Sequence, residues 1–171
     1  MDTGKLQYLH AVSVAEQTHN NTTSWVGLFP IQAFEISKGQ TFETHTEGDL
    51  ESIEVFSNLI TKPGHLELSI HQFDPLEKKW SDAIGTTSVE VKKSDEGSWM
   101  KFNVPSCHLV KGKHYGFKLV SHDCLIGIGE AMGSSSNPPL TNGQEWKFSV
   151  NGQHTSFSYC SLAFKVALKA A

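Results

Sequence analysis

The chain has 171 residues, 38% of them hydrophobic, including ten Phe and four Trp, enough for one domain with a sizeable core. Its net charge is −4 and all 14 basic residues are Lys. Without the bidentate fork of Arg, a mildly acidic chain is a poor partner for nucleic acid, because phosphate neutralisation supplies most of that affinity.

The dominant period along the chain is two. A first strand is expected near Leu6 to Val14, followed by a polar loop from Thr18 to Ser24; residues 1–30 could in part be a flexible leader. Further strands are expected at Ile31 to Ile36 and Gln40 to His45. In Glu51 to Ser57, Ile53 and Val55 alternate with polar residues. In His65 to His71, Leu66, Leu68 and Ile70 do the same. The segment Asp74 to Gly85 reads as a long loop carrying Trp80, and Thr86 to Val91 as the next strand. Alternation then places Met100, Phe102 and Val104 on one face, and Tyr115, Phe117 and Leu119 on one face of a later strand. A strand is expected at Cys124 to Ile128, then a long loop from Ala131 to Gly143. Trp146, Phe148 and Val150 alternate as expected core residues, and Cys160 to Leu168 closes the chain. This is the pattern of half-buried strands with one face in the core and one in water. No helix-period segment of ten residues is present. Gly- and Asn-Gly-containing turns punctuate the runs, as hairpins require. The fold class read from this is all-β: a single antiparallel β-sandwich, jelly-roll-like.

At the turn and strand positions Gly39-Gln40-Thr41-Phe42, Leu50 to Val55, Pro63 to Ile70, Trp99 to Phe102, Leu109 to Tyr115, Trp146 to Gly152 and Leu162 to Lys165, the chain resembles bacterial jelly-roll sandwich modules. Those modules are accessory domains of secreted, surface-anchored and carbohydrate-active proteins. The resemblance spans roughly Gly39 to Val166. It implies a non-catalytic role in adhesion, glycan binding or display, and an extracellular or cell-surface setting. No signal peptide is legible in the start MDTGKLQYLH, and no run approaches the ~18 apolar residues of a membrane span.

Several chemistries lack their motifs. There is no GxSxG elbow, HExxH, EF-hand loop or Walker-type loop. The run Ser134-Ser135-Ser136 reads as flexible loop. The three cysteines, Cys107, Cys124 and Cys160, have no CxxC spacing and read as buried thiols. No catalytic residues and no cofactor are expected. A structural calcium is an option, with Asp123, Glu130 and Asn142 as donors. Histidines His108, His114 and His122 with Asp123 could approach a common edge. Glu43, Glu51, Glu54 and Glu67 could pair across strands as a hydrolase dyad would.

Sugar recognition combines an aromatic face with polar side chains, because a pyranose has an apolar face ringed by hydroxyls. Trp80, with Asp82 beside it, fits that chemistry, as do Asp123, Glu130, Asn142 and Glu145 around the long loop. Trp80 could equally cap one end of the sandwich. The expected partner is a glycan or surface polymer. The alternative is a structural or interaction domain that docks a protein partner through a sheet edge or face.

Overall fold

The structure is a computed structural model and describes residues 11–105 and 107–170. Fourteen strands account for its architecture. The first four are β1 (Val12–Gln17), β2 (Thr22–Phe29), β3 (Phe34–Glu43) and β4 (Gly48–Lys62). The next five are β5 (Gly64–Asp74), β6 (Lys79–Val91), β7 (Ser98–Phe102), β8 (His108–Leu109) and β9 (His114–Val120). The last are β10 (Leu125–Met132), β11 (Glu145–Phe148), β12 (His154–Phe157), β13 (Cys160–Leu162) and β14 (Phe164–Leu168). A 3-10 turn at Lys93–Asp95 is the only helical element among the described residues.

All pairings are antiparallel, and the main path runs β1-β14-β4-β10-β2-β3-β9-β5-β6. The path folds into two layers at β3. The first part of that strand, Phe34 to Ile36, pairs with β2. From Ser37 onward it pairs with β11 on one edge, and from Lys38 with β9 on the other. One layer is therefore built on β1, β14, β4, β10 and β2, and the other on β12, β11, β3, β9, β5 and β6. The expected all-β antiparallel sandwich is the observed fold.

The alternating residues converge between the layers. Ile53, Val55, Ile126, Ile128 and Val166 from one layer and Leu66, Leu68, Ile70, Phe117 and Leu119 from the other belong to one buried cluster. Phe164 joins them: its ring centroid lies 6.0 Å from Phe42 and 5.7 Å from Phe117. The three thiols are buried and free.

Some boundaries differ from the sequence reading. Two expected strands, Ile31 to Ile36 and Gln40 to His45, are one strand, β3, preceded by a turn in which Ala33 has a positive φ of 49°. The expected loop Thr18 to Ser24 gives way to strand at Thr22, because β2 lies between β10 and β3 and its polar Thr22 and Ser24 meet other polar groups inside. Of the stretch considered as leader, residues 12–17 and 22–29 are paired strands, and residues 1–10 lie outside the described residues. The last run divides at Ala163, whose N–H donates to the Gly129 carbonyl, into β13 on β10 and β14 on β4.

Phe164 touches both layers, so truncating it opens a void that neither can close alone. Phe164→Ala is expected to cost about 3–5 kcal/mol of stability, read as a lower urea midpoint with an unchanged denaturant slope.

Candidate functional site: an aromatic platform and a buried acid pair

The segment expected as a loop around Trp80 is mostly strand. The turn from Asp74 to Lys79 is short because the Asp74 carboxylate accepts from the backbone N–H groups of Leu76 (2.9 Å) and Glu77 (3.1 Å). Lys78 takes the left-handed conformation, at φ 53°. The chain then enters β6 with Trp80 opposite Phe73. Register shifts on either side of His71 set that pairing.

Residues opposite one another in an antiparallel pair share a face. Gly39 faces Lys118 and Trp146, Thr41 faces Gly116, and Glu43 faces His114; this is the outer face of the β3 layer. Trp80 is seated here against Gly39 and Gly116. A methyl group on Gly116 would collide with the far edge of the indole, and one on Gly39 would press on it at 3.2 Å. Around Trp80 stand Phe73 at 5.5 Å, Trp146 at 5.7 Å, Phe148 at 5.3 Å and His71 at 5.7 Å between ring centroids, all near perpendicular. Such edge-to-face contacts are each worth ~0.5–1.5 kcal/mol beyond the area buried.

His71 holds the platform from beneath. Its Nδ1–H donates to the Ser81 carbonyl at 2.8 Å, and its Nε2 accepts from the Ser69 hydroxyl at 2.7 Å. Burial lowers its pKa, which keeps the ring neutral in this tautomer. The indole nitrogens of Trp80 and Trp146 are buried without a hydrogen-bond acceptor. Orphaned donors cost of the order of 1–3 kcal/mol each, so this cluster is not built for stability alone.

Three hollows adjoin the platform. The first, about 490 Å³, is lined by Phe73, Trp80, Lys113 and His114 among others. The second, about 390 Å³, shares Phe73, Pro75 and His114 with it and extends to Leu140, Asn142 and Gln144. The third, about 530 Å³, lies on the other side of Trp80, towards Lys118, Phe148 and His154. Together they form one open groove of aromatic, lysine, histidine and amide side chains.

Of the six residues expected to contact a ligand, Trp80 and Asn142 line this groove. Asn142 donates from Nδ2 to Glu43 at 2.8 Å. Asp82 is exposed on β6 and lines none of the three hollows. Asp123 stands apart, accepting from the His65 backbone N–H (2.8 Å) and ring (3.0 Å). That pairing, with the Ser121 hydroxyl, holds its carboxyl down at about 2.

Glu130 and Glu145 are brought together, but inside the protein. Glu130 on β10 and Glu145 on β11 are 7% and 2% exposed, and their carboxylate oxygens lie within 4.8 Å of each other and of the Cys160 thiol. Thr22 donates to Glu130 at 2.7 Å, while one oxygen of Glu145 has no partner. Lys38 reaches into the same region and donates to Ser24 at 2.8 Å. Burial first, and then Glu130, push the Glu145 carboxyl up to about 9. Burial and the two acids push the Cys160 thiol up to about 12. At neutral pH Glu145 therefore holds its proton, and burial lowers the pKa of the neighbouring Lys38. Sealed from solvent, this dyad admits no sugar ring.

The calcium donors considered from the sequence are not assembled. Asp123 lies in the bend before β10 and Glu130 near that strand's far end, roughly 20 Å apart at ~3.3 Å per residue, and Asn142 belongs to the groove. Calcium takes six to eight oxygens; the Glu130, Glu145 and Cys160 cluster offers two carboxylates beside a protonated thiol and a lysine. The histidines also separate. His108 pairs with Asp49 (2.8 Å) and Glu47 (3.4 Å), and His122 with Glu35 (2.9 Å), while His114 lines the groove. The loop serines form a turn, with the Asn137 N–H donating to the Ser134 hydroxyl.

The sequence reading missed Phe73, Gly116, Lys118 and Phe148 as site residues. Trp146, expected in the core, is 2% exposed but lies on the outer face, under Phe73 and Trp80. A signal for the site was present: a glycine inside the apolar run Tyr115-Gly116-Phe117 marks close approach by another group.

The fold and platform together describe an antiparallel all-β sandwich with an aromatic groove on its outer face. No protein-family model and no curated protein matches the chain. Among solved structures it is similar to the cysteine protease and lectin-like domains of Cwp84, a surface-layer-associated protein of Clostridium difficile, with TM-score 0.52 and 11% identity over 90% of this chain. A form of clostridial Cwp84 after propeptide cleavage gives TM-score 0.52 and 12% identity over 80% of this chain. The chain spans 37% and 36% of the lengths of those two chains. The likeness falls on the lectin-like part rather than the protease, and at this identity it establishes the fold alone.

Two outcomes follow. Gly116→Ala is expected to displace Trp80, costing about 1–3 kcal/mol as overpacking does and changing tryptophan emission in the folded state. The second concerns pH. A carboxyl raised from 4.5 to about 9 binds more protons folded than unfolded, so its contribution is complete below pH 4.5 and is lost as pH rises towards 9. Glu145→Gln is expected to flatten the fall in melting temperature between pH 5 and 9. It should raise stability at pH 8 by at least about 1 kcal/mol, the worth of one pKa unit.

Proposed function

We propose that the chain is a non-catalytic carbohydrate-binding module that takes a glycan or cell-surface polymer in the groove around Trp80. The observation that carries this reading is the seating of Trp80 on two strand glycines, half-buried, with open hollows on both sides of its ring. An indole held rigidly by neighbouring rings offers a sugar an apolar face at little entropic cost. Asn142, Gln144, His114 and Gln72 stand around it as hydrogen-bonding partners for hydroxyls. The lectin-like neighbour from a surface protein supports the same reading, and a cell-surface setting with it.

A second reading rests on the edge strand β6. Among the described residues it pairs only with β5, which leaves the far edge of a thirteen-residue strand open to another chain, with Ile84 exposed on the strand. Through that edge the domain would dock a protein by strand addition.

Screening the purified chain on a glycan array, followed by calorimetry of the best binder, decides between them. Trp80→Ala is expected to weaken glycan binding by tenfold or more, with Trp80→Phe intermediate and the fold of each checked by circular dichroism. Glycan binding indifferent to both variants removes the groove from the proposal. Silence across the array moves the role to the β6 edge.

A further inference from the structure

The hollow between Trp80 and the β11–β12 hairpin has a charge opposite to that of the molecule. The chain carries −4 overall. Yet this hollow is lined by Lys78, Lys79, Lys118 and His154 beside the rings of Trp80 and Phe148, and among the described residues no Asp or Glu lines it.

Lys118 is the informative member. It emerges from the middle of β9 onto the outer face, opposite Gly39 and Ser69. Its ammonium lies 4.4 Å from the Phe148 ring centroid and 5.1 Å from that of Trp80. Among the described residues, no carboxylate lies within ion-pair distance of it. Its surroundings lower its pKa by desolvation, with no compensating acid. Ring faces repay a desolvated cation by about 0.5–2 kcal/mol, less than a hydrogen-bonded anion does. Lys79 has only a loose, exposed contact with Glu77, at 3.7 Å, so its charge is also available. A half-buried ammonium over the rings of Trp80 and Phe148, with Lys78 and Lys79 lining the same hollow, is arranged for an anion attached to something that stacks.

We propose that this hollow receives the carboxylate or sulfate of an acidic sugar whose ring rests on Trp80, so that the ligand class is an anionic glycan. The inference rests on the carbohydrate reading of the groove and narrows it. Lys118 supplies the anchoring charge-assisted hydrogen bond; Lys78 and Lys79 supply longer-range attraction that salt screens.

The test uses the full chain and matched ligand pairs: oligogalacturonate against its methyl ester, and a sulfated galactan oligosaccharide against its desulfated form. Calorimetry at 50 mM salt is expected to show the acidic member of at least one pair binding about tenfold tighter or more, with the ratio shrinking at 500 mM. Lys118→Met keeps the apolar stem over the rings and is expected to bring that ratio close to one. Should Lys118→Met fail to fold, the exposed pair Lys78→Gln and Lys79→Gln is expected to lower the ratio and its salt dependence. Neutral glycans that bind through Trp80 as well as or better than their acidic partners would overturn the charge assignment and leave the carbohydrate reading standing. An acidic preference unchanged by Lys118→Met and by the paired glutamines also overturns it. Absence of binding by every member of both pairs, alongside array silence, removes both.

Discussion

Strand β3 has to serve two layers, and the middle of it organises everything described above. Once it leaves β2 it must satisfy β9 and β11 at the same time, with consecutive residues pointing to opposite sides. Lys38 and Gln40 point into the sandwich, and Gly39 between them points out. Inside, Gln40 accepts from the Leu162 N–H at 2.9 Å and donates to the Thr41 carbonyl at 3.1 Å, while Lys38 reaches Ser24. Outside, the absence of a side chain at Gly39 leaves room for Trp80 and for the edge of Phe148. Three consecutive residues thus set the polar interior at one end of the core and the aromatic exterior directly above it.

That coupling explains why an acid pair is tolerated inside. Beyond the end of the apolar cluster the two layers close over side chains of β2, β10, β11 and β13 whose neighbours are already polar: Thr22, Ser24, Gln40 and Lys38. A protonated Glu145 limits the charge held inside, which is the condition for burying such groups at all. An apolar replacement of similar volume would pack there with less penalty, but it would lose the polar links that join β2 to β10 at this end of the sandwich. Stability traded for a defined register is one reading of such a cluster. The lone unpartnered oxygen of Glu145 shows that the trade is incomplete.

How far the sequence disclosed this depends on which period carried the information. Alternation in Glu51 to Ser57, His65 to His71 and His114 to Ser121 was enough to locate β4, β5 and β9 and to name their core residues, because each has one apolar and one polar face. It failed at β11. There Trp146 and Phe148 are apolar and so was the expected core side, yet the register on β3 turns them outward and turns Glu145 in. A period of two says that faces differ, not which one is inside, when the outer face is itself covered by aromatic rings. Trp80 was singled out in the sequence and lines the groove, but its partners there were not legible. Phe73, Lys118 and Phe148 come from three other strands, and only the sheet order brings them within reach. Glu130 and Glu145 were singled out together for the wrong environment: their proximity was inferred from the long loop, whereas it arises because β2, β10 and β13 meet β3 and β11 at one end of the sandwich.

The arrangement of the outer face bears on what kind of recognition the fold permits. An aromatic patch on a flat sheet would attract any apolar surface and would discriminate little. Here the patch is divided into hollows of different chemistry: Asn142, Gln144 and His114 line one part and Lys118 and His154 another, with Lys78 and Lys79 reaching both. In the proposed complex the ring offers an apolar face, and the groups on either side select the ligand's substituents. Because Trp80 is wedged over Gly39 and Gly116 and supported by a neutral His71, little rotamer entropy remains to be lost on binding. The strand glycines that weaken the sheet locally are therefore what make the platform rigid, and that rigidity lets the charge at Lys118 act at a fixed distance from the stacked ring rather than as a diffuse attraction.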